Sequence, residues 1–437
     1  MPATGLLRDL IRANTTNPPG NETPAVELLR AELDGAGLET KILASEEGRP
    51  NLVARLPGPR DRPALVLLSH TDVVGVEADS WSHDPFGGEI ADGALWGRGA
   101  LDMKGIAAMH VAAVVNLVRT ADSASREVIF CAVADEETGG ALGAEWLLAE
   151  HPNAVGFEDG RPAPEVLGEG AFGLSGILDR DVMPIVLGEK QALWIDLIAR
   201  GEPGHGSMPP ASQAPVNLAE VLARVSGFGT PRVHPVMREQ FKCLASVASG
   251  PRKAVFSGLA SRSASVVARA LHKPLRSSAT IAALLADTIT PTTLSAGYKH
   301  NVVPGEARAS LDCRLLPDTD PERFLAGLRK KAARRGVDVQ KRALHDGPVT
   351  GSGPLNAVLA RVSEGLSEDP VIVPSLTTGM TDLRYFRRAG AAGYGWVPLV
   401  LSPELLATIH GHDERIPIDA FGRGVEAMSE VVRRAAS

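Results

Sequence analysis

Short apolar runs and helix-length segments alternate through the first third of the chain. "NLVARL" (51–56), "ALVLLSH" (64–70) and "EVIFCAVA" (127–134) are nearly continuous apolar stretches of strand length. Such runs suit strands buried on both faces. "MKGIAAMHVAAVVNLVRT" (103–120) and "GALGAEWLLAEH" (140–151) are Ala- and Leu-rich and long enough for helices. Near the start, Leu6, Leu7, Leu10 and Ile11 sit at helical spacing. Strands interleaved with helices predict an α/β fold, a mostly parallel sheet with helices on both faces.

After Lys190 the pattern changes. "ALWIDLIAR" (192–200) reads as a strand, "GEPGHGSMPP" (201–210) as a loop and 214–225 as a helix. Strands near 290–297 and 302–314, a helix near 321–335 and a strand near 337–342 complete a β-α-β-β-α-β order. That order suits a small ferredoxin-like α+β domain. The segment 228–285 is extra to it, and the pattern assigns that segment no place. From about residue 346 αβ elements resume, ending in a helix at 419–435. The chain therefore divides into a discontinuous main domain, 1–190 and 346–437, and an inserted domain, 191–345.

Composition changes this picture little. A chain of 437 residues exceeds one ordinary core, and 44% apolar with 22% charged residues is globular. No apolar run approaches the ~18 residues of a membrane span. No basic segment leads into a long apolar core, so a cytoplasmic protein without a membrane partner is expected. Cys131, Cys243 and Cys313 form no close pair, which fits free thiols in a reducing compartment. The net charge of −7 argues against nucleic acid as a partner. Between Arg252 and Arg276 lie Arg252, Lys253, Arg262, Arg269, Lys273 and Arg276 with no acid among them. They read as a solvated helix face, with an anionic partner or membrane surface as the alternative.

The candidate chemistry begins at "CAVADEETGG" (131–140), where Asp135, Glu136 and Glu137 follow an apolar strand. Like charges side by side repel. Their ordinary explanation is a solvated turn before a helix N-terminus, which favours acids. "LLSHTDVV" adds His70 and Asp72, two residues apart and on the same side of a strand. There Asp72 is expected to accept a hydrogen bond from one imidazole nitrogen while the other binds a metal. "LWGRGALDMKG" adds Asp102, otherwise a helix N-cap. "EVLGEGAFG" adds Glu169, and "ATIHGHDERIP" adds His410 and His412. Carboxylates gathered at one sheet end repel unless cations neutralise them, and metal answers that better than solvent.

"SHTDVV", "GRGALDMKG", "ADEETGG", "GEG", "GEPGHGSMP" and "IHGHDERIP" occur in this order. Together they resemble the di-zinc aminoacylase, carboxypeptidase and deacylase family of metallohydrolases. That family includes acetylornithine deacetylase, succinyl-diaminopimelate desuccinylase, carboxypeptidase G and carboxypeptidase S. The resemblance runs from "NTTNPPGNE" (14–22) to the last helix. It implies that His70 and Glu169 hold one zinc, Glu137 and His410 the other, and Asp102 bridges them. Two Zn²⁺ per subunit are implied, with Co²⁺ or Mn²⁺ also suited to such nitrogen and oxygen ligands. It further implies a cis peptide at Asp102–Met103.

The resemblance implies amide hydrolysis by a metal-bridging hydroxide with Glu136 as general base. His205 would contact the oxyanion or substrate across a homodimer, making the inserted domain a lid and dimerisation domain. Asn301, in "HNVVPGEARASLDCR" (300–314), would help bind substrate, and Arg384, in "TTGMTDLRYFR" (377–387), would fork onto a substrate carboxylate. For Arg384 a surface ion pair is the alternative. His412 is taken as outer, and His83 and His110 as structural. The substrate class is then an N-acyl amino acid or a short peptide with a free C-terminal carboxylate. A biosynthetic acetylornithine or succinyl-diaminopimelate deacylase is the alternative enzyme. A binding protein on the same scaffold is a third reading, against which all five ligands and Glu136 stand.

Overall fold

The computed structural model describes residues 2–120, 124–176, 178–275 and 278–437. Arg276, the last of the expected basic run, lies outside them. The chain forms two compact units. The first comprises the chain up to Leu187 with Thr350–Ser375 and Thr381–Ser437, and the second comprises Gly188–Val349 with Leu376–Met380.

The first unit is built on a ten-stranded sheet. Its centre runs Val128–Val133, Leu65–His70, Glu165–Gly168, Ala392–Gly395, all parallel neighbours. Antiparallel pairs flank that centre: Pro50–Leu56 joins Val128–Val133 on one side, and Val182–Glu189 joins Ala392–Gly395 on the other. Every residue of Leu65–His70 and of Val128–Val133 is buried. Up to Ser69 and His70 at the end of the first, these strands are apolar without alternation, because helices cover both faces.

One covering face is visible in its contacts. Val66, Leu68, Ile129, Cys131 and Val133 pack with Ala144, Leu147, Leu383 and Phe386 from the helices Ala144–Glu150 and Leu383–Arg388. On the opposite face Ser69 meets His110 of the buried helix Lys104–Thr120, Oγ to Nδ1 at 2.9 Å. His110 is fully buried, which pushes its imidazole down to about 3, so it is a neutral core residue. The helix expected from residue 140 starts only at Ala144. Gly139 and Gly140 adopt φ of +117° and +76°, a left-handed conformation that no helix continues.

The second unit is a five-stranded antiparallel sheet in the order Gly227–Phe228, Thr288–Ala296, Glu306–Leu315, Gln191–Arg200, Val337–His345. Its four long strands and the helices Ala214–Val225 and Pro321–Ala333 give the ferredoxin-like arrangement. Glu306–Leu315 alternates buried and open positions, as a sheet covered on one face must. Leu193, Ile195, Leu197, Leu218, Leu311 and Leu325 belong to one core on the covered face. The strand expected over 302–314 is split: Val302–Val303 pairs with Gly204–His205, and the long strand starts at Glu306 after Pro304.

The unassigned segment 228–285 contains the helices Pro235–Val247, Gly250–Ala260, Ala264–Ala270, His272–Leu275 and Ala279–Leu284. Met237, Phe241, Leu244 and Leu259 are buried among them. Lys190 is buried, and its Nζ donates to the carbonyls of Ala283 (2.9 Å) and Ala286 (2.8 Å). The first lies in the last turn of Ala279–Leu284, where carbonyls lack intrahelical partners, and the second just beyond it.

Candidate metal centre

Parallel strands end at the same sheet edge, and the site begins there. His70 ends the Leu65–His70 strand, Glu136 and Glu137 lie in the turn after Val128–Val133, and Glu169 directly follows Glu165–Gly168. Asp102 precedes the helix Lys104–Thr120, and the Asp102–Met103 peptide is cis. His410 comes from a loop between Pro403–Leu406 and Arg415–Pro417, with φ of +57°.

These residues form two groups with one shared member. His70, Asp102 and Glu169 offer ligand atoms within 4.8 Å of one another, and so do Asp102, Glu137 and His410. Asp102 faces each group with a different oxygen: Oδ1 is 3.1 Å from His70 Nε2, and Oδ2 is 3.3 Å from His410 Nε2. His410 Nε2 is also 3.3 Å from Glu137 Oε2, and His70 Nε2 is 3.8 Å from Glu169 Oε2. Glu137 Oε1 is buried without a hydrogen-bond partner. Imidazole nitrogens and carboxylate oxygens in three-ligand sets suit zinc and similar divalent metals.

The electrostatics are those of acids short of cations. Burial, then the charge of Asp102, pushes the Glu169 carboxyl up to about 8. Burial also drives Glu136 well above the carboxylate range, and Glu169, Asp382 and Glu137 add to it. Asp382 lines the same small cavity as Glu136 and Glu169. Burial raises it to about 7, and neither of its oxygens finds a hydrogen-bond partner among the described residues. Hydrogen bonds to Asp102 and Glu137 lift the His410 imidazole to about 10.

Two buried carboxylates hold the main chain of the ligand turns. Asp72 accepts from the N–H of Glu136 (3.2 Å) and Glu137 (3.1 Å) and from Asn17 Nδ2 (2.9 Å). Burial alone would raise the Asp72 carboxyl, but these donors and His70 outweigh it and hold it low. Glu414 does the same for the second turn. It accepts from the N–H of Gly99 (3.1 Å), Leu101 (2.8 Å) and Asp102 (3.1 Å) and from Arg98 Nη1 (2.7 Å). Arg98 Nη2 reaches the carbonyl of Gly411 at 2.8 Å, bracing the loop that carries His410.

The opening acidic triplet therefore has three separate roles. Asp135 turns back into the protein, accepting from Arg49 Nη2 (3.1 Å), Asn17 Nδ2 (3.2 Å) and the Leu142 N–H (3.1 Å). Glu136 faces the cavity, and its carboxylate accepts no hydrogen bond among the described residues. Glu137 joins the Asp102–His410 group.

Two expectations are corrected. His70 Nδ1 bonds not to the Asp72 carboxylate but to the Asp72 main-chain carbonyl, at 3.0 Å; the carboxylate Oδ1 stands at 3.5 Å. A carbonyl only accepts, so Nδ1 donates there, and Nε2 is the nitrogen turned toward Asp102 and Glu169. Arg384, expected to fork onto a substrate carboxylate, is 1% exposed. Its Nη1 donates to the Thr381 carbonyl (3.0 Å) and its Nη2 to the Gly139 carbonyl (2.7 Å). A guanidinium buried against main-chain carbonyls is neither a surface ion pair nor an open fork.

His205 and Asn301 belong to the second unit, where the Gly204–His205 and Val302–Val303 pair brings them together. The Gly206 N–H donates to the Asn301 carbonyl at 2.9 Å. His205 is exposed, and its Nδ1 accepts from the Ser207 N–H at 3.2 Å. His412 lies outside both ligand groups, with Nε2 3.4 Å from Glu77 Oε2.

Glu414, Arg98, Asn17 and Asp382 were not among the residues read from sequence as functional. Glu414 follows two histidines in "HGHDERIP", and Arg98 stands in "GRGALD". Residue type carries no sign that these bond to main chain.

The family described as peptidase family M20/M25/M40 matches residues 66–434. Aminoacylase-1 of Sus scrofa is 29% identical over 445 residues, spanning 100% of this chain and 96% of that protein. Succinyl-diaminopimelate desuccinylase of Cereibacter sphaeroides is 29% identical over 430 residues, spanning 94% and 93%. A metallo-carboxypeptidase of Sulfolobus solfataricus has the same fold, with TM-score 0.76, 18% identity and coverage of 99% and 98%.

Proposed function

Because the chain belongs to peptidase family M20/M25/M40 and is a metal-dependent amide hydrolase of the metallopeptidase and aminoacylase type, we propose that it releases an amino acid from N-acyl amino acids or short peptides with a free C-terminal carboxylate. The observation that carries this reading is the pair of ligand groups sharing Asp102, with Glu136 beside them and engaged by neither. Identity to aminoacylase-1 along the whole chain supports the N-acyl amino acid class. His70, Glu169 and Asp102 would hold one metal, and Glu137, His410 and Asp102 a second. We assign zinc, with cobalt or manganese as substitutes. Two such ions supply charge that polarises an amide carbonyl and makes water more acidic.

The chain's own residues do the proton work. Glu136 accepts a proton from the attacking water as the oxygen–carbon bond forms. It then delivers that proton to the amine nitrogen as the carbon–nitrogen bond breaks. Asp72 fixes the main chain at Glu136 and Glu137 and so aims both side chains. His205 and Asn301, adjacent in the second unit, are assigned to the substrate and the oxyanion.

We assign a homodimer formed by the second unit, supported by the outer side of Thr288–Ala296. That strand pairs outward only at Thr288 and Ile289, and Leu294 and Tyr298 are 67% and 86% exposed. No helix among the described residues is long and apolar enough to cross a membrane; we assign the protein to the cytoplasm. A succinyl-diaminopimelate-type deacylase is the second reading, supported by the 29% identity to that enzyme.

The test incubates zinc-loaded protein with N-acetyl, N-succinyl and longer N-acyl amino acids and with dipeptides, and quantifies released amine. Turnover of N-acyl amino acids or dipeptides supports the reading. Turnover of succinyl-diaminopimelate alone favours the second, and no turnover with two metals bound overturns both.

A further inference from the structure

We propose that Tyr385 and Arg384 are positioning residues that fix the Glu136 turn through a shared grip on the Gly139 carbonyl. This inference rests on Glu136 being the general base. Tyr385 Oη donates to the Gly139 carbonyl at 2.5 Å, and Arg384 Nη2 donates to the same oxygen at 2.7 Å. Arg384 Nη2 also reaches Tyr385 Oη at 3.1 Å, closing a triangle of polar atoms. The N–H of Gly139 in turn donates to the Glu136 carbonyl at 2.9 Å. One residue therefore connects the grip to the main chain of Glu136.

The grip itself is rigid. Arg384 and Tyr385 are 1% and 3% exposed and lie on the helix Leu383–Arg388. The Tyr385 ring has the Arg384 guanidinium 4.4 Å and the Arg388 guanidinium 5.0 Å from its centroid, contacts that hold the ring's orientation. Arg388 also pairs with Glu145 of the helix Ala144–Glu150 at 3.1 Å. The helix that grips the turn is thus also tied to the helix that follows the turn.

The turn needs holding. Asp135, Gly139 and Gly140 all have positive φ, and the turn between them is a single short helical turn, Glu136–Thr138, closed by its own main-chain bonds and, among the described residues, by no neighbouring strand. Glu136 shares a small cavity with Glu169 and Asp382, and no hydrogen bond to its carboxylate fixes the side chain there among the described residues. Asp72 restrains the turn by its N–H groups at one end. Tyr385 and Arg384 restrain it by a carbonyl at the other. A base held at both ends keeps its carboxylate within proton-transfer distance of the reacting atoms.

The grip and a substrate-binding fork make opposite kinetic predictions for Arg384. The test compares wild type, Tyr385→Phe, Arg384→Lys and Glu136→Gln, each metal-loaded, measuring metal content, melting temperature, kcat and KM. Tyr385→Phe and Arg384→Lys are expected to lower kcat about 10- to 100-fold at unchanged KM and metal content. The visible spectrum of the cobalt-substituted variants should match wild type, because the ligands stay in place. A raised KM with full kcat in Arg384→Lys would restore the fork and overturn the grip. Full kcat per folded, metal-loaded molecule in both variants also overturns it, even where the melting temperature falls. Full activity in Glu136→Gln removes the assigned base, and the inference with it; loss there beside full activity in Tyr385→Phe removes the inference alone.

Discussion

The two ends of the central parallel strands treat acidic residues in opposite ways. At the amino end Glu165, Glu127 and Glu158 each have an arginine. Glu165 meets Arg126 at 2.5 Å and caps the Leu355 N–H at 2.9 Å. Glu127 pairs with Arg55 at 2.6 Å and with Arg161, and Glu158 pairs with Arg55 at 2.8 Å and Arg60 at 2.9 Å. At the carboxyl end Glu136, Glu137, Glu169 and Asp102 have two imidazoles between them, and Arg49 is spent on Asp135. Buried charge that the chain neutralises itself is structure. Buried charge that it leaves short is a demand on something from outside, and divalent metal meets it.

The comparison can be broken by exchanging one residue at each end. Glu136→Gln at the carboxyl end should cost about 10²–10⁴ in kcat while two metals still bind, as read by turnover and metal analysis. Glu165→Gln at the amino end should leave kcat per folded molecule unchanged. It strands buried Arg126 and should lower unfolding stability by about 3–5 kcal/mol in denaturant titration.

Smaller effects sharpen it. Asp72→Asn keeps every ligand but weakens the hold on the Glu136–Glu137 turn. Metal affinity should fall about 10- to 100-fold in competition with a chelator. The metal-free protein should also melt lower at pH 8 than at pH 5. Glu169 (about 8), Asp382 (about 7) and His410 (about 10) are all raised when folded. The folded state then binds protons that the unfolded chain has released, so stability falls as pH rises across that window. Added zinc should reverse the trend, since its ligands bind deprotonated. The smallest change expected is for Lys242→Ala, an exposed helix pair with Glu239 at 3.4 Å, within about 0.5 kcal/mol.

The sequence made the α/β class legible because strands buried on both faces must be apolar in continuous runs, and Leu65–Leu68 and Val128–Val133 are. The ferredoxin-like order was legible because its strands and helices are regular. Within 228–285, Pro235–Val247 does carry a helical repeat in Met237, Phe241 and Leu244, but Gly250–Ala260, Ala264–Ala270 and Ala279–Leu284 bury one or two residues each, too few to make one. The site residues were named because their motifs keep chemistry and spacing together. Arg384 was misplaced for the complementary reason. An arginine looks the same in a string of letters whether its guanidinium meets a ligand or a main-chain carbonyl. Glu414 and Asp72 teach that carboxylates in such a site also serve as acceptors for peptide N–H groups, a role set only by the folded path.

The order of the site's parts along the chain has a consequence during synthesis. His70, Asp102, Glu137 and Glu169 leave the ribosome early, whereas His410 and Glu414 leave long after them, beyond the whole inserted unit. A nascent chain can display one complete ligand group and half of the other, with the Asp102 turn still lacking its Glu414 brace. Hydrolytic competence therefore waits until the chain beyond the inserted unit has been made. A product truncated before His410 would be a protein with the acids and without the machine.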